Sequence, residues 1–414
     1  MKANSQRRVR AMVAMSGLML ATICSLGAPL PAASQAEGSR RAPRAATFSS
    51  PTLYRIAANG TAFDIASGDF TGTKIKDIVV ANGAGGSVSL LAGRGDGTFA
   101  PAVTVYSSPG KSVTAIATGD FNGDGHLDFA VVTEGGAAQD IVILLGDGHR
   151  HFRQSATAPL RFLAQVGPLV FGGMRSIALG AFTRRGTLDA VVTDAANYIS
   201  VFFGDGHGGF SGRQDLLAAA LPTSVLVANL YGHGLSDIGV LDNDSSSVYT
   251  FANHSDGTFA PRQRTPLGAL DVNALPVSLA AGDLRRKGRI DLFAVLSDTN
   301  GPACCSVGKI LLSDGRGSYA KPAGVPIAGS VDFPAAGAIA DFNGDGIPDV
   351  VSVAEAFPRR NDVIVLPGIG DGTFSTAAQT TVKITSGNNV LLADKIIVDD
   401  FNSDGKPDIA VAID

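Results

Sequence analysis

The sequence predicts an all-β fold, a seven-bladed β-propeller of four-stranded antiparallel blades whose ring is closed by the N-terminal strand. Two motifs alternate along the chain, with a spacing of roughly fifty residues. A short turn closes with aspartate at seven places, numbered here turns 1 to 7: Asp77, Asp128, Asp189, Asp237, Asp291, Asp349 and Asp408. An aromatic residue follows a Gly-rich hairpin at seven places: Phe48, Phe99, Phe152, Phe210, Phe259, Tyr319 and Phe374. Such a repeat is typical of radial or stacked β architectures.

The order of the two motifs indicates how the ring closes. Phe48 has no turn before it, and turn 7 has no aromatic residue after it. Residues 48–58 are therefore expected to complete the blade that begins at turn 7, by pairing with Ile409–Ile413 or with its missing neighbour, a third strand of that blade. Closure of this kind hides the sheet edges. No third strand follows Ile413, so this blade has only three strands or the sequence is incomplete.

The second repeat shows the predicted blade most clearly. An inner strand with alternating side-chain character is predicted over Ser112–Gly119, and turn 2 follows it. Short apolar strands are predicted at Phe129–Thr133 and Asp140–Leu145, and a hairpin then leads to an outer strand that begins near Phe152. Alternation within each segment and turn residues between them favour four antiparallel strands.

The first 36 residues are predicted to be an export signal, followed by a flexible linker at 37–47 and the propeller at 48–414. A basic start precedes an almost continuously apolar stretch, Ala11–Gly27, and small residues follow it. Arg7 and Arg8 suggest twin-arginine export as an alternative to the general route, and an uncleaved membrane anchor is the main competing interpretation. The expected location is secreted, periplasmic or on the cell surface, as a monomer.

The net charge indicates which classes of partner this protein can bind, and the cysteine content indicates a possible disulfide. Residues 1–36 contain four cations and no carboxylate, so the remainder has 29 Lys and Arg against 37 Asp and Glu, a net charge of −8. This balance disfavours nucleic acid as a partner and favours cations. Cys304 and Cys305 are adjacent and could form a vicinal disulfide or remain two thiols.

Three turns are predicted to bind Ca²⁺, about three ions per chain. They share the pattern Asp-x-Asn-x-Asp-Gly-x-x-Asp, which supplies oxygen ligands at alternate positions of a tight loop. Oxygen-only ligands select a hard cation, and the glycine permits the sharp bend. The alternative is a metal-free loop held by Asx turns. The candidate ligands, with the seventh residue contributing its backbone carbonyl, are Asp120, Asn122, Asp124, His126 and Asp128; Asp341, Asn343, Asp345, Ile347 and Asp349; and Asp400, Asn402, Asp404, Lys406 and Asp408.

The other four turns have lost part of this pattern. Turn 1, Asp69–Asp77, keeps only the outer aspartates and could at most form a weak site. Turn 5 contains Arg285, Arg286, Lys287 and Arg289, and turn 3 contains Arg184 and Arg185, so built-in cations are expected to replace the metal. Turn 4, Asn229–Asp237, has too few carboxylates. Because the ninth aspartate is present in every turn, its general role is expected to be bonding of backbone N–H groups.

These sequences resemble the FG-GAP/VCBS-type repeat of integrin α-subunit heads and of many secreted bacterial proteins. The resemblance rests on Gly119–Asp128 and on the hairpin Leu144–Gly148, and it extends over about residues 48–414. It implies a seven-bladed propeller that binds Ca²⁺ on one face, through the three intact ligand sets, and takes its ligand on the other. Turns 1, 3, 4 and 5 depart from the family pattern.

The connections in an up-and-down blade place the turns and the hairpins on one face. The long irregular segments then lie on the opposite face, where recognition is expected, with Arg161, Phe357, Arg359 and Arg360 as candidates. The leading hypothesis is a binding module for an extracellular protein or glycan. The alternatives are a polysaccharide lyase, which needs a basic residue near a bound uronate, and a structural envelope protein. Arg94–Asp96 spells an adhesion tripeptide but is expected to be an ordinary hairpin, and Phe171, Phe202 and Phe203 are expected to pack between blades.

Overall fold

The structure is a computed structural model, and it describes residues 20–24 (backbone only), 42–56, 61–135, 138–160, 176–193, 197–218, 220–268, 274–298, 306–326, 333–356, 360–384 and 393–413. Within these ranges every regular element is a β-strand. The strands form separate four-stranded antiparallel sheets, as the alternating sequence pattern predicted.

Six sheets are blades of four consecutive strands. Blades 1 to 3 consist of β3 (Ala62–Gly68), β4 (Asp77–Asn82), β5 (Ser87–Leu91) and β6 (Val103–Ser107); β7 (Ser112–Gly119), β8 (Asp128–Gly135), β9 (Ala138–Gly146) and β10 (Phe152–Pro159); and β11 (Ile177–Gly180), β12 (Asp189–Thr193), β13 (Tyr198–Gly204) and β14 (Phe210–Leu217). Blades 4 to 6 consist of β15 (Pro222–Ala228), β16 (Asp237–Asp242), β17 (Ser247–Phe251) and β18 (Gln263–Pro266); β19 (Ala274–Gly282), β20 (Asp291–Asp298), β21 (Ser306–Leu311) and β22 (Ala323–Pro326); and β23 (Phe333–Ala340), β24 (Asp349–Ala356), β25 (Arg360–Leu366) and β26 (Thr380–Ile384).

The seventh sheet is composite, because it joins strands from the two ends of the sequence. Its order is β27 (Ala393–Asp399), β28 (Asp408–Ile413), β1 (Leu20–Cys24) and β2 (Thr52–Arg55). In this sheet Ile413 pairs with Leu20, which pairs with Arg55. The prediction of seven uniform blades is therefore wrong, since the structure has six blades of consecutive strands and a composite sheet in the remaining place of the ring.

The composite sheet also changes how the ring closes. Residues 52–55 do not pair with β28 but with β1, which takes the place expected for a third C-terminal strand. The expectation of a three-stranded last blade or a missing strand is therefore wrong, since this sheet has four strands. That intervening strand, β1, lies inside the segment that the sequence predicts to be an export signal. The inner strand β27 contacts β23 on one side and β3 on the other, so the blades and the composite sheet form a closed ring.

Apolar side chains from neighbouring sheets form the core. Second and third strands such as β4 and β5 are buried along their whole length, which explains their continuous apolar runs. Phe202 is buried between blades, as predicted, whereas Phe203 is only partly buried there. Phe171 lies outside the described residues.

The hairpin aromatic residues lock each sheet to the preceding one. Phe152 and Phe259 pack with their ring centroids 6.0 and 5.4 Å from those of Phe70 and Phe182, which occupy the second position of turns 1 and 3. The same contact joins the composite sheet to both of its neighbours. Phe99 of blade 1 packs on Phe401 of the composite sheet at 5.7 Å, and Phe48 packs on Phe342 of blade 6 at 6.1 Å. Phe48 therefore belongs to the composite sheet, as the order of the motifs predicted.

Candidate functional site

In turns 1 to 6 the ninth aspartate is a buried clamp between the turn and the hairpin of the same sheet, and in turn 7 Asp408 accepts a bond from Phe401 N of its own turn. All seven of these residues are buried. The Asp128 carboxylate, for example, accepts hydrogen bonds from Phe121 N in turn 2 and from Gly146 N in the hairpin, both at 2.8 Å. Asp77, Asp189, Asp237 and Asp349 bridge their own turns and hairpins in the same way, with bonds of 2.7 to 3.0 Å. The expectation that this aspartate bonds backbone N–H groups is confirmed.

Turns and hairpins also interlock between neighbouring blades. Gly208 N donates to Phe121 O at 3.1 Å, and Gly257 N donates to Phe182 O at 3.3 Å. These bonds and the clamps place the turns and hairpins on one face, called here the turn face, as the parity of the connections predicted.

The first and third positions of the three acidic turns are held by their own backbone. In turn 2 the Asp120 carboxylate accepts hydrogen bonds from Gly123 N and Gly125 N, at 2.6 and 2.9 Å. The first aspartates of turns 6 and 7 do the same for Gly346 N and Gly405 N, at 2.7 and 2.8 Å. The sixth-position glycines have φ of +80° to +84°, which confirms the need for glycine at the bend. However, Asp69 and Asp283 make equivalent bonds in turns that lack the acidic pattern, so this bonding alone does not identify a metal site.

The fifth-position aspartate distinguishes the acidic turns. Asp124, Asp345 and Asp404 are exposed, and each accepts a hydrogen bond from the backbone N–H two residues further on, at 2.8 to 3.0 Å. In turn 7 the Lys406 ammonium lies 3.7 Å from the Asp404 carboxylate. These side chains add negative charge beside the buried ninth aspartate.

This crowding is visible in the acid–base properties of the turns. Burial raises the pKa of Asp128 to about 6, against the opposing effect of its two backbone bonds, and the charges of Asp124 and Asp120 raise it further. Burial likewise raises the pKa of Asp349 to about 7, with a further contribution from Asp345 and Asp341. A bound cation would relieve this repulsion.

The acidic turns fit a hard cation in the chemistry of their donors. Each supplies three carboxylates and an amide oxygen within nine residues, which is the ligand type that Ca²⁺ prefers. Over the described ranges, no three His, Cys, Asp or Glu side chains stand in an arrangement that could already hold a metal ion.

Arginine was expected to replace the metal in turns 3 and 5, and the structure shows a different arginine contact in each. In turn 5 the Arg285 guanidinium contacts the buried Asp291 carboxylate, with Nη2–Oδ1 at 2.7 Å and Nε–Oδ2 at 3.2 Å. The built-in cation is thus present there. In turn 3 the expectation fails for Arg184, which donates instead to Ser255 Oγ of blade 4, at 3.1 Å. The charge of Arg185 does act on the buried Asp189, where it opposes the rise in pKa that burial causes.

Three cavities open on the turn face. Two lie against acidic turns: one of about 420 Å³ beside Asn122, Asp124 and His126, and one of about 340 Å³ beside Asn343 and Asp345. In the second, Asn343 Nδ2 donates to Arg44 O at 3.1 Å, so residues 42–44 of the predicted linker lie on turn 6. The third and largest of these, about 580 Å³, lies between turn 3 and the blade 4 hairpin.

Most residues that the sequence nominated for recognition lie outside the described ranges. These are Arg161, Phe357 and Arg359, whereas Arg360 begins β25. Cys304 and Cys305, the candidates for a vicinal disulfide, also lie outside the described ranges. Asp96 of the Arg-Gly-Asp tripeptide accepts bonds from Thr98 N and Thr98 Oγ1, at 2.9 and 2.6 Å. The aligned Asp256 and Asp371 make the same pair of bonds, which confirms that the tripeptide is an ordinary hairpin. In the described ranges there is no helix with the length and apolar character to span a bilayer.

Comparisons with known proteins agree with this architecture. The FG-GAP-like repeat family matches residues 69–131 and 341–411, which contain turns 1, 2, 6 and 7. The chain is a β-propeller that contains FG-GAP-like repeats in these two segments. No curated protein matches it in sequence.

Three solved structures are similar to this chain at low sequence identity, and one of them has a TM-score above 0.5. An Agrocybe aegerita lectin, described as recognising non-reducing terminal N-acetylglucosamine, is 18% identical over 89% of this chain and 91% of its own, with a TM-score of 0.53. AofleA from Arthrobotrys oligospora is 12% identical over 80% of this chain and 88% of its own, with a TM-score of 0.44. A Bacillus licheniformis rhamnogalacturonan lyase is 14% identical over 77% of this chain and 57% of its own, with a TM-score of 0.43.

Proposed function

We propose that this protein is an exported, calcium-binding β-propeller that acts as a glycan-binding module. The observation that carries the proposal is the turn face, where rigid turns surround cavities of about 340 to 580 Å³. Cavities of this size suit small ligands, and a saccharide unit is within that range. The buried aspartate clamps keep the cavity walls fixed, which lowers the conformational entropy lost on binding.

The fold comparison supports the glycan as ligand. The Agrocybe aegerita lectin shares the architecture over almost the whole of both chains, and its described ligand is a sugar. A propeller can therefore present saccharide sites with the arrangement of sheets seen here. The proposed face differs from the one that the sequence favoured, because the described cavities lie beside the turns.

Calcium is proposed as the ion that neutralises the acidic turns. Asp120, Asp124 and Asp128 would hold it in turn 2 together with Asn122, and the equivalent residues would do so in turns 6 and 7. The raised pKa values of Asp128 and Asp349 support this, because burial first and the neighbouring carboxylates second disfavour their charged forms, and a bound cation would offset both effects. The ion would brace the turns that border two of the cavities.

A glycan array tests the proposal. The full chain, purified from a host that exports it, is applied with 2 mM CaCl₂ and again with excess chelator, and each hit is then incubated with the protein to detect chain cleavage. Binding without cleavage is expected. Cleavage with release of an unsaturated uronate would establish the lyase alternative, and binding only to protein ligands would contradict the glycan proposal. Recovery of the protein in the exported fraction checks export, and its intact mass shows whether residues 1–36, which contain β1, are retained.

A further inference from the structure

The largest described cavity on the turn face lies between blades 3 and 4, and both blades build it. Thr183, Arg184 and Arg185 of turn 3 form one wall, and the hairpin Ser255–Thr258 forms the other. Phe203 and Gln214, on β13 and β14, form the floor. The walls are fixed to each other, since Arg184 N donates to Ser255 O at 2.9 Å and Gly257 N donates to Phe182 O at 3.3 Å.

The arginines give this cavity a positive wall. In turn 5 the comparable Arg285 is neutralised by Asp291 at 2.7 Å. Within the described ranges neither Arg184 nor Arg185 forms such an ion pair, although the charge of Arg185 also acts on the buried Asp189. The one carboxylate that lines the cavity, Asp256, already accepts two bonds from Thr258, at 2.9 and 2.6 Å. Two guanidinium groups thus face one carboxylate, which favours an anionic ligand.

The cavity also contains polar atoms that lack a partner. Gln214 Oε1 and Thr183 Oγ1 are buried and have no hydrogen-bond partner among the described residues. Buried polar atoms are normally paired, because leaving one unpaired costs about 1 to 3 kcal/mol. An amide oxygen and a hydroxyl beside a cavity match the hydroxyl groups of a sugar.

An aromatic surface completes the site. Phe203 is directly opposite Gly212 in the β13–β14 pair, so no cross-strand side chain covers its ring from that position. The ring is only partly buried, unlike its neighbour Phe202. An apolar ring face beside polar groups suits the mixed surface of a sugar ring.

We infer that this cavity binds an acidic saccharide, a sugar residue that carries a carboxylate. In this arrangement Arg184 and Arg185 bind the carboxylate, Gln214 and Thr183 bind hydroxyl groups, and Phe203 contacts the ring. The inference rests on the proposed glycan-binding function and specifies its ligand class. It needs no calcium, because turn 3 lacks the acidic pattern.

The first experiment compares sugars that differ only in charge. Galacturonic acid, its methyl ester and galactose are titrated into the full chain and followed by NMR, once with calcium and once with chelator. Galactose 6-sulfate tests whether another anionic sugar binds. Acetate tests whether a carboxylate without a sugar is sufficient. The expected result is at least tenfold tighter binding of galacturonic acid than of the ester, galactose or acetate, unchanged by chelation. Equal binding of the ester, tighter binding of the sulfate, or loss of binding on chelation would overturn the inference.

The second experiment assigns the site. Arg184→Ala and Arg185→Ala should each weaken galacturonic acid binding at least tenfold. Arg286→Ala is the matched control, because Arg286 occupies the fourth position of turn 5 as Arg184 does in turn 3. It should leave galacturonic acid binding unchanged. Gln214→Leu should weaken binding without lowering the melting temperature, because it removes a buried unpaired acceptor. Unchanged binding in both turn 3 variants, or a Gln214→Leu variant that loses stability but not binding, would contradict the site.

The outcomes separate this inference from the proposed function. A chain that binds only neutral glycans on the array keeps the proposed function and overturns the acidic-saccharide site. A chain that binds no glycan at all overturns both.

Discussion

Calcium should stabilise this protein much more at pH 8 than at pH 5, because protons and calcium compete for the same turns. Burial and the neighbouring carboxylates raise the pKa of Asp349 from 3.8 to about 7 and that of Asp128 to about 6. A carboxyl group with a raised pKa in the folded state contributes stability that is fully present below its unfolded pKa. That contribution is lost as the pH rises through the folded pKa.

The magnitude follows from the size of these changes. An increase from 3.8 to about 7 corresponds to about 4 kcal/mol for Asp349, and the increase to about 6 corresponds to about 3 kcal/mol for Asp128. Without calcium, the free energy of unfolding should therefore fall between pH 4 and pH 7. At pH 8, ~2 mM calcium and a Kd of ~0.1 mM would restore roughly 1.8 kcal/mol per site by mass action.

Calorimetry with and without calcium at the two pH values tests this linkage. A chelated and dialysed sample should show a clear rise in melting temperature with calcium at pH 8 and a smaller one at pH 5, with little rescue by Mg²⁺. Three bound ions would also change the net charge of residues 37–414 from −8 to about −2. An equal rise at both pH values would refute the linkage, and no rise at either would leave the turns as hydrogen-bonded loops.

Three further changes test individual elements. Asp124→Ala, Asp345→Ala and Asp404→Ala should each remove one bound calcium ion, as measured by equilibrium titration. Lys287→Ala is the matched control and should remove none. Loss of an ion in this control would contradict the assignment of the sites. In turn 5, Arg285→Ala should destabilise the fold by about 3 to 5 kcal/mol in urea unfolding, because the buried Asp291 carboxylate loses its ion pair and, among the described residues, keeps only the bond from Ser313 N. A stable Arg285→Ala protein would show that the pair contributes little. Arg285→Asn with Lys287→Asp should create a fourth ion site. Deletion of residues 1–36 removes β1 and should lower the melting temperature by about 5 °C or more, since β28 and β2 each lose a strand partner. An unchanged melting temperature would mean that β1 contributes nothing to the closure of the ring.

The repeated elements of the fold could be predicted because each is encoded locally. The ninth aspartate, the sixth-position glycine and the hairpin aromatic are short-range signals, and the structure gives all three the expected roles. Phe48 could be assigned to the closing sheet for the same reason, since the order of the motifs is itself local information.

Long-range pairing was less visible. An apolar segment near the N-terminus has the composition of a signal and of a buried strand alike, so nothing in residues 20–24 distinguished β1 from an export signal. Side-chain direction was also hidden. The same cluster of arginines turns inward in turn 5, where Arg285 meets Asp291, and across the blade boundary in turn 3, where Arg184 meets Ser255.

The closed ring changes how such a protein can unfold. In an open stack of repeats the end repeat has one neighbour and can fray alone, so local stability falls towards the ends. Here every sheet has two neighbours, because β27 contacts both β23 and β3. The first sheet to detach must break two interfaces at once, whereas each later one breaks only one. Unfolding should thus begin wherever the ring is weakest and then spread rapidly, and a cut through the composite sheet would convert one cooperative transition into gradual fraying.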